Sequence, residues 1–266
     1  MSEYLFDNLK ILEEFKNDKS TAIITDIDGT ISEITQTPEE AFVNKAIQDL
    51  IVKLRDEFQL VAVISGRSVL NAKKMVGVEG VLYVGNHGLE FLKNGELCVQ
   101  PEVVKYEPYI KAVENELETG KLAHIKGLKF EDKGICFSIH YRLSKDPENT
   151  RKRILKFLHE CPHCKNLKID EGRRIVELKP PIGYNKGVIM NDIIDQYHLK
   201  KVIYLGDDIT DVNAFNKLKE LESKGKIRGR SVLVCSSEIP SYVKKQSSLF
   251  VNGVDEVHKF FQWLLN

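Results

Sequence analysis

Short apolar runs rich in β-branched residues alternate along the chain with segments of helical periodicity, first over residues 21–84 and again over residues 186–265. A short continuous apolar run predicts a strand buried on both faces, and apolar residues three and four apart predict a covering helix. The predicted strands are Thr21–Thr25, Leu60–Ile64, Val81–Val84, Val202–Leu205, Ser231–Cys235 and Leu249–Val251. The predicted helices are Glu39–Glu57, Ser68–Met75, Lys186–Tyr197, Val212–Leu221 and Val254–Leu265. This order indicates an α/β fold with a doubly wound, Rossmann-like parallel-sheet core.

The segment between these two stretches has a different pattern. In Cys136–Arg142 apolar residues such as Phe137 and Ile139 alternate with polar ones, which predicts a strand with one buried and one polar face. Two further helices are predicted, Glu107–Glu118 and Pro147–His159. We therefore expect an α+β cap domain over residues 103–182, inserted into a core formed by residues 1–102 and 183–266.

The charge balance argues against several classes of partner. Lys plus Arg and Asp plus Glu both number 39 in 266 residues, so there is no global field to attract nucleic acid or an anionic membrane. The first twenty residues lack the pattern of a signal peptide, and no run reaches the roughly 18 apolar residues of a membrane span. Five scattered cysteines then predict reduced thiols. We expect a soluble, cytoplasmic monomer with no nucleic-acid or membrane partner.

One cluster of soft ligands allows two interpretations. His159, Cys161, His163 and Cys164 have a spacing that resembles half of a zinc site. No second Cys/His pair follows at a matching spacing, so the other half of such a site is missing. The alternative is the end of a helix and a turn at Pro162.

Polar residues follow the predicted strands at the points where the strands end. They are Asp26 and Asp28 after the first strand, Ser65, Gly66 and Arg67 after the second, Gly85, Asn86, His87 and Gly88 after the third, and Gly206, Asp207, Asp208 and Asp211 after Val202–Leu205. Ligands of open parallel sheets bind at this edge. Asp26 and Asp28 can converge where the strand alternation ends, and like charges this close imply a cation, a shared proton or a division of roles.

Several of these residues also have an ordinary structural interpretation. Asp28 could be a turn residue, and Ser65 or Ser68 could cap the following helix. Asp211 could be a first-turn acid that the helix dipole favours. These interpretations require no ligand.

Two other features are difficult to explain without a ligand. Lys186 stands at the start of a predicted helix, where a cation opposes the macrodipole, so its position predicts a neighbouring anion. Asp207 and Asp208 are adjacent acids directly after an apolar strand, and such a pair is costly unless a cation or hydrogen-bond donors compensate.

Four segments together resemble, in order and spacing, the four motifs of haloacid-dehalogenase-like phosphohydrolases. They are Asp26–Thr30, Ser65–Arg67, Asn185–Gly187 and Gly206–Asp211. The long insertion between the second and third motifs resembles the large cap of members that act on sugar phosphates. Within the superfamily the chain is most similar to trehalose-6-phosphate phosphatases, through Gly85–Gly88, Lys133–Arg142 and Glu171–Pro180. Two departures are Thr25, where an apolar residue is common, and Val212, where an acid is common.

The resemblance implies a Mg²⁺-dependent phosphatase that forms an aspartyl-phosphate, and carboxylate oxygens are suitable ligands for this ion. Asp26 is the expected nucleophile. Asp26, Asp207 and the main-chain carbonyl of Asp28 are the expected metal ligands. Asp208 and Asp211 are expected to lie outside these metal ligands and to orient Lys186 and the water molecules bound to the metal.

The remaining core residues are expected to move protons and hold phosphate. The side chain of Asp28 would protonate the leaving sugar oxygen and then accept a proton from the attacking water. Ser65 and Lys186 would bind the phosphoryl oxygens.

A disaccharide needs many hydrogen-bond partners, and the sequence offers candidates in both domains. The expected substrate contacts are Arg67, Asn86, His87, Lys133, His140, Arg142, Glu171, Glu177 and Lys179. Glu177 and Lys179 are expected to share one strand face with Arg173 and Ile175. The alternative for each cap residue is a solvated outer face of the sheet.

Three other functions remain open at this point. The cap could serve another sugar phosphate, such as sucrose-phosphate, a mannosyl-phosphoglycerate or a hexose phosphate, or the chain could be a sugar phosphomutase. A phospho-accepting signalling module also combines an acidic pair, Ser or Thr, and Lys. Such a module is far shorter and has no insertion of this size.

Overall fold

The computed structural model describes residues 2–93, 95–120, 122–236, 239 and 241–266. The chain divides into two compact units, one formed by Met1–Leu97 together with Tyr184–Asn266 and the other by Cys98–Gly183. The first unit is therefore discontinuous in sequence. The first division lies a few residues before the boundary predicted after residue 102.

The strands and helices follow one another in an order that fits the predicted pattern. The strands are β1 (Glu3–Tyr4), β2 (Thr21–Thr25), β3 (Leu60–Ile64), β4 (Leu82–Gly85), β5 (Glu90–Lys93), β6 (Glu96–Val99), β7 (Lys129–Asp132), β8 (Phe137–His140), β9 (Lys168–Gly172), β10 (Ile175–Lys179), β11 (Lys201–Gly206), β12 (Arg228–Cys235) and β13 (Leu249–Asn252). The α-helices are α1 (Lys45–Glu57), α2 (Val69–Val76), α3 (Glu107–Thr119), α4 (Pro147–Glu160), α5 (Lys186–Gln196), α6 (Ile209–Ser223), α7 (Ser241–Lys244) and α8 (Val254–Leu265).

Among the described residues, nine strands form one sheet, all of which belongs to the first unit except the last two residues of β6. Their order is β1-β13-β12-β11-β2-β3-β4-β5-β6. All pairs from β1 across to β4 are parallel, and β5 is antiparallel to β4. Strand β2 lies between β3, which follows it in sequence, and β11, which comes after the insertion. The sheet therefore has a topological switch point beside β2.

Helices cover both faces of this sheet, which confirms the predicted doubly wound α/β core. On one face α1, α2 and α8 supply buried residues such as Ile51 and Phe260. On the other face α5 and α6 supply Met190 and Phe215. No helix in the described ranges is both long enough and apolar enough to cross a membrane.

The central strands are apolar throughout because both of their faces are covered. In β2 every residue is buried, with Ile23 in one apolar cluster and Ala22 and Ile24 in the other. The observed bounds of β2 and β3 are those that the sequence predicts. Such continuous runs give the clearest sequence signal in this chain.

Helix ends differ more from the prediction because side-chain caps set them. Helix α1 begins at Lys45, not near Glu39, because the Asn44 side chain accepts a hydrogen bond from the Ile47 N–H and so caps the helix there. Helix α2 is different. Ser68 occupies its N-cap position without a side-chain hydrogen bond, and the carboxylate of Glu90 accepts the Val69 N–H instead.

The second unit contains a four-stranded antiparallel sheet in the order β7-β8-β10-β9. Helices α3 and α4 supply Val113 and Ile154 to an apolar cluster that also holds Ile139 and Val176 of the sheet. Since side chains alternate along a strand, the residues between these apolar positions lie on the other sheet face. The predicted two-faced character of Cys136–Arg142 agrees with this arrangement.

The strand face predicted for Arg173, Ile175, Glu177 and Lys179 is wrong at Arg173. Strand β10 begins at Ile175, which pairs with Gly172 of β9, so Arg173 and Arg174 form the two-residue turn between the strands. Arg174 has φ +61°, in the left-handed region that such hairpin turns use. Arg173 is therefore a turn residue and does not extend the strand face of Glu177.

The Cys/His cluster corresponds to the end of a helix. Helix α4 ends at Glu160 with Cys161 as its C-cap, and Cys161 and Cys164 are both buried in the apolar cluster of this unit. His159 contacts the Leu155 carbonyl through Nδ1, and His163 lies 3.5 Å from a carboxylate oxygen of Glu116. These contacts agree with the helix-end interpretation.

The two helix caps predict different responses to alanine. Asn44→Ala removes the hydrogen bond to the Ile47 N–H and should lower the free energy of unfolding by about 1 kcal/mol. Ser68→Ala is the matched control and should change it by less than about 0.5 kcal/mol, because Ser68 makes no side-chain cap bond. Urea unfolding curves of the two variants measure this difference. Equal losses in both would contradict the assignment of the caps.

Candidate active site

The carboxyl ends of four neighbouring strands meet at one edge of the large sheet. Strands β11, β2, β3 and β4 are adjacent, and the residues that directly follow them are Asp207, Asp26, Ser65 and Asn86. The switch point beside β2 lies at this edge, where open α/β sheets bind ligands. The fold therefore gathers the predicted core motifs at one place.

Asp26, Lys186 and Asp211 form a buried ion cluster. The Lys186 ammonium lies 2.7 Å from Oδ2 of Asp26 and 2.8 Å from Oδ1 of Asp211. All three side chains are at least nine-tenths buried, that of Lys186 being only 1% exposed. The other oxygen of Asp26 accepts the Ile27 N–H at 2.7 Å. The Asp26 carboxylate is thus fixed from two sides.

Burial and charge act in opposite directions on this cluster. Burial raises the pKa of Asp26; Lys186 opposes this rise, whereas Asp211 and Asp28 add to it. Burial lowers the pKa of Lys186, but the carboxylates of Asp211 and Asp26 outweigh burial and raise this pKa above its ordinary value. Two carboxylates therefore share one buried ammonium, an arrangement that a further cation would stabilise.

Asp211 holds this cluster and the start of helix α6 together. Its Oδ1 accepts hydrogen bonds from the Lys186 ammonium at 2.8 Å and from the Tyr204 hydroxyl at 2.7 Å. Its Oδ2 accepts the backbone N–H groups of Asp207 and Asp208, at 3.1 and 3.0 Å. Both oxygens are therefore already hydrogen-bond acceptors, and Asp211 contacts Lys186 directly.

The contacts of Lys186 give a specific reason for a cation at a helix start. The Asn185 side chain accepts the N–H groups of Gly187 and Val188, at 2.9 and 3.1 Å, so it caps this end of α5. The anions beside Lys186 are the carboxylates of Asp26 and Asp211. A neighbouring anion is thus present, but the protein itself supplies it.

The donor set at this edge fits a hard divalent cation. Asp26, Asp207 and Asp211 each place a carboxylate oxygen within 4.8 Å of the others. Gly29 has φ +76°, and a Cβ there would lie 1.8 Å from Oδ2 of Asp207, so only glycine lets that carboxylate approach the loop. Carboxylate oxygens suit Mg²⁺. Each oxygen of Asp211 already accepts two hydrogen bonds, whereas the described contacts of Asp26 are one on each oxygen, so Asp26 and Asp207 are the better ligands.

Asp28 has surroundings that differ from those of Asp26. Both oxygens of its side chain accept hydrogen bonds from Arg67, Nε to Oδ2 and Nη2 to Oδ1, each at 2.7 Å. The Asp28 side chain is 34% exposed, whereas that of Asp26 is 9% exposed. Arg67, a predicted substrate contact, is thus engaged by a carboxylate of the chain itself.

Ser65, Asn86 and His87 are held by neighbouring backbone groups. Ser65 is buried, and its hydroxyl accepts the Arg67 N–H at 3.2 Å. The Asn86 N–H donates to the Arg67 carbonyl, and the His87 N–H donates to the Ser65 carbonyl. Asn86 and His87 both have positive φ, and a Cβ at Gly66 would lie 2.7 Å from the His87 ring. The loops after β3 and β4 are therefore interlocked.

Sequence reasoning missed two residues of this region. Tyr204 is fully buried in β11, and its hydroxyl donates to Asp211. The sequence gives no sign of this contact, because Tyr204 fits the apolar pattern of the strand. Glu90 follows the loop after β4, and its carboxylate accepts the Val69 N–H at the start of α2. Only the tertiary fold brings Glu90 to that helix.

Several predicted cap residues lie together on the polar face of the small sheet. Lys133 Nζ is 3.0 Å from Glu177 Oε1, and Ser138, which pairs with Glu177 across the strands, donates to the same oxygen at 3.3 Å. His140 contacts Glu131 at 2.9 Å. Burial lowers the pKa of Lys133, but Glu177 and Glu131 outweigh it and raise this pKa.

The other predicted cap residues are more dispersed. Lys179 Nζ lies 2.5 Å from a carboxylate oxygen of Asp170. Glu171 is opposite Val176 in the antiparallel register, so it lies on the apolar face, where it forms an ion pair with Arg151. Arg142 donates to the carbonyl of the turn residue Arg173 at 3.4 Å. Glu171 is therefore separated by the sheet from Glu177.

Comparison with known proteins agrees with this architecture. The family model of trehalose-phosphatases matches residues 24–254. The protein named probable trehalose-phosphate phosphatase G of Arabidopsis thaliana is 31% identical over 285 residues, an alignment that covers 96% of this chain and 71% of that protein. Trehalose-phosphate phosphatase B of the same plant is 26% identical, and the alignment covers 93% of this chain and 67% of that protein.

A solved structure shares the fold over nearly the full length of both chains. The C-terminal domain of the trehalose-6-phosphate phosphatase of C. albicans has a TM-score of 0.79 at 20% identity, and the alignment covers 99% of this chain and 98% of that one. The matched range of the family model includes the core motifs and the whole second unit. The chain therefore belongs to the trehalose-phosphatase family.

Proposed function

We propose that this protein hydrolyses trehalose 6-phosphate to trehalose and phosphate with the help of Mg²⁺, through an aspartyl-phosphate on Asp26. The observation that carries the proposal is the buried Asp26 carboxylate at the switch point of the sheet, held 2.7 Å from the Lys186 ammonium. Membership of the trehalose-phosphatase family supports phosphoric monoester hydrolysis as the reaction class.

Asp26 is the proposed nucleophile because it is oriented and desolvated before substrate binds. The Ile27 N–H and Lys186 hold its two oxygens, and a fixed attacking group converts a bimolecular step into one with a large effective concentration. Attack by Asp26 on phosphorus forms the aspartyl-phosphate as the bond to the sugar oxygen breaks.

Charge neutralisation is the second requirement of phosphoryl transfer. Lys186 lies beside Asp26, so its ammonium is suited to stabilise the phosphoryl oxygens, and the buried Ser65 hydroxyl is the proposed neutral donor. Asp26, Asp207 and the Asp28 main-chain carbonyl are the proposed Mg²⁺ ligands. When bound, this ion supplies positive charge to the phosphate group.

Asp28 is the proposed acid and base. Its carboxylate is more exposed than that of Asp26, as a group that exchanges protons with a leaving oxygen and then with water requires. The two aspartates of the first motif therefore have surroundings that suit different roles.

The proposed specificity for a sugar phosphate rests on relatives and on the second unit. Curated relatives from Arabidopsis thaliana and Mycobacterium leprae are named trehalose-phosphate phosphatases. The polar face of the small sheet offers Lys133, Ser138 and Glu177 as clustered donors and acceptors for hydroxyl groups. Other sugar phosphates are the competing substrates.

A panel of phosphate esters tests the function and its metal dependence. Phosphate release should be fastest with trehalose 6-phosphate, should fall at least about 100-fold after chelation and should return with added Mg²⁺, because carboxylates alone repel the phosphate dianion. Sucrose 6-phosphate and glucose 6-phosphate are the comparison substrates. Release from none of the esters would refute the enzyme assignment, and preference for another sugar phosphate would refute the substrate assignment alone.

Replacement of the nucleophile provides the second prediction. Asp26→Asn keeps the size of the side chain but removes its negative charge, so turnover of any phosphate ester should fall at least about 1,000-fold. Asp49→Asn, at an exposed position of α1, is the control and should leave turnover unchanged. Steady-state kinetics with saturating Mg²⁺ measure both variants. Ordinary turnover by the Asp26 variant would exclude this residue as nucleophile.

Glu177 should affect sugar substrates selectively. Glu177→Gln keeps the shape of the side chain but weakens its contacts to Lys133 and to a sugar hydroxyl, so kcat/KM for trehalose 6-phosphate should fall about tenfold to 100-fold. The same constant for 4-nitrophenyl phosphate should change little, and Glu148→Ala serves as an exposed control in the same unit. Equal losses on both substrates would argue against a role of Glu177 in sugar recognition.

A further inference from the structure

The ion pair between Arg67 and Asp28 has a geometry that fixes an orientation. Nε and Nη2 of Arg67 approach the two oxygens of Asp28 side-on, each at 2.7 Å. Two parallel charge-assisted hydrogen bonds set the plane of the carboxylate as well as its distance, which a single contact does not do. The Asp28 side chain is therefore held in one orientation by Arg67.

Arg67 is itself anchored independently of Asp28. Its Nη1 donates to the Pro38 carbonyl at 3.1 Å and to the Asn71 side chain at 3.2 Å. Its backbone N–H donates to the Ser65 hydroxyl, and its side chain is only 10% exposed. A guanidinium fixed by α2 and by the segment before α1 is a rigid support for a second group.

A proton donor has to lie within hydrogen-bond reach of the leaving oxygen, and small displacements of such a group are costly. The side-on pair with Arg67 also suits Asp28 because this side chain has to bind the leaving oxygen during the reaction. In the acid step Asp28 carries a proton on one oxygen, which passes to the leaving sugar oxygen, while its other oxygen keeps its contact with Arg67. The carboxylate formed then takes a proton from the water that hydrolyses the aspartyl-phosphate. Lysine offers a single ammonium and lacks this geometry.

We propose that Arg67 is a positioning residue that holds the Asp28 side chain for proton transfer to the leaving sugar oxygen. The inference rests on the proposed function, in which Asp28 is the acid. It differs from the expected role of Arg67 as a substrate contact, because the Arg67 side chain acts here through Asp28 and does not bind the phosphate.

The dependence on the leaving group separates these two roles. The constant kcat/KM reports the steps up to formation of the aspartyl-phosphate, which include departure of the alcohol but not the later hydrolysis. A sugar alkoxide needs a proton to leave, whereas 4-nitrophenolate is a stable anion that leaves without one. Loss of the positioned acid therefore slows trehalose 6-phosphate more than 4-nitrophenyl phosphate, and loss of a phosphate contact slows both alike.

The experiment compares Arg67→Lys and Arg67→Gln with the wild type and Asp28→Asn on these two substrates at saturating Mg²⁺. For both Arg67 variants we expect kcat/KM to fall about 100-fold with trehalose 6-phosphate and less than about threefold with 4-nitrophenyl phosphate. Asp28→Asn should show the same selectivity. Retained turnover of the aryl ester, together with an unchanged thermal midpoint, demonstrates that the variants are folded.

A matched control uses another arginine–carboxylate pair of the first unit. Arg230 Nη1 lies 2.6 Å from Oε1 of Glu222, and the Arg230 side chain is 19% exposed. Arg230 lies near the start of β12, whereas Asp207 follows the end of the neighbouring β11. Arg230→Lys should leave both kinetic constants unchanged.

The remaining outcomes distinguish the inference from the proposed function. Selective loss in Asp28→Asn but equal or no losses in the Arg67 variants would overturn the positioning role alone. Full activity of Arg67→Lys would also overturn it, because positive charge without the two-point contact would then be sufficient. Equal losses on both substrates in Asp28→Asn would overturn the acid role of Asp28 and the inference with it. An inactive wild type would refute the proposed function itself.

Discussion

The structure of the candidate site depends on one buried ammonium placed between two buried carboxylates. Lys186 lies within 2.8 Å of both Asp26 and Asp211, and these residues come from three segments that are far apart in sequence. Removing the ammonium would leave two buried carboxylates without compensation, which is strongly destabilising. The ammonium therefore joins the end of β2, the start of α5 and the first turn of α6. Any ligand at this edge meets a preorganised charge distribution.

The same principle explains how two aspartates in one short motif can serve different chemistry. Asp26 directly follows a strand whose two faces are covered, so it is desolvated and directed at Lys186. Asp28 lies two residues further along the chain, where its carboxylate is partly exposed and pairs with Arg67. Gly29 follows Asp28 with a positive φ, and the Asp207 carboxylate closely approaches this glycine. Proximity in sequence thus coexists with separate electrostatic environments.

Much of the core could be predicted because its signals are local. The bounds of β2 and β3 follow from continuous apolar runs, and the edge of the sheet follows from strand order. The partners of charged side chains could not be predicted, since Arg67 meets Asp28 only through tertiary packing. The predicted place of Arg173 on the strand face of Glu177 is wrong because Arg173 belongs to the two-residue turn before β10, which no local pattern indicated.

The most direct test of the central claim is to look for the covalent intermediate. The protein is mixed with trehalose 6-phosphate and Mg²⁺, quenched in acid within milliseconds, and digested for mass spectrometry of the peptide that contains Asp26. The account predicts a phosphoryl group on Asp26 that appears as sugar is released and decays as phosphate is released. Turnover without any phosphorylated Asp26, or phosphorylation of another residue in its place, would contradict it.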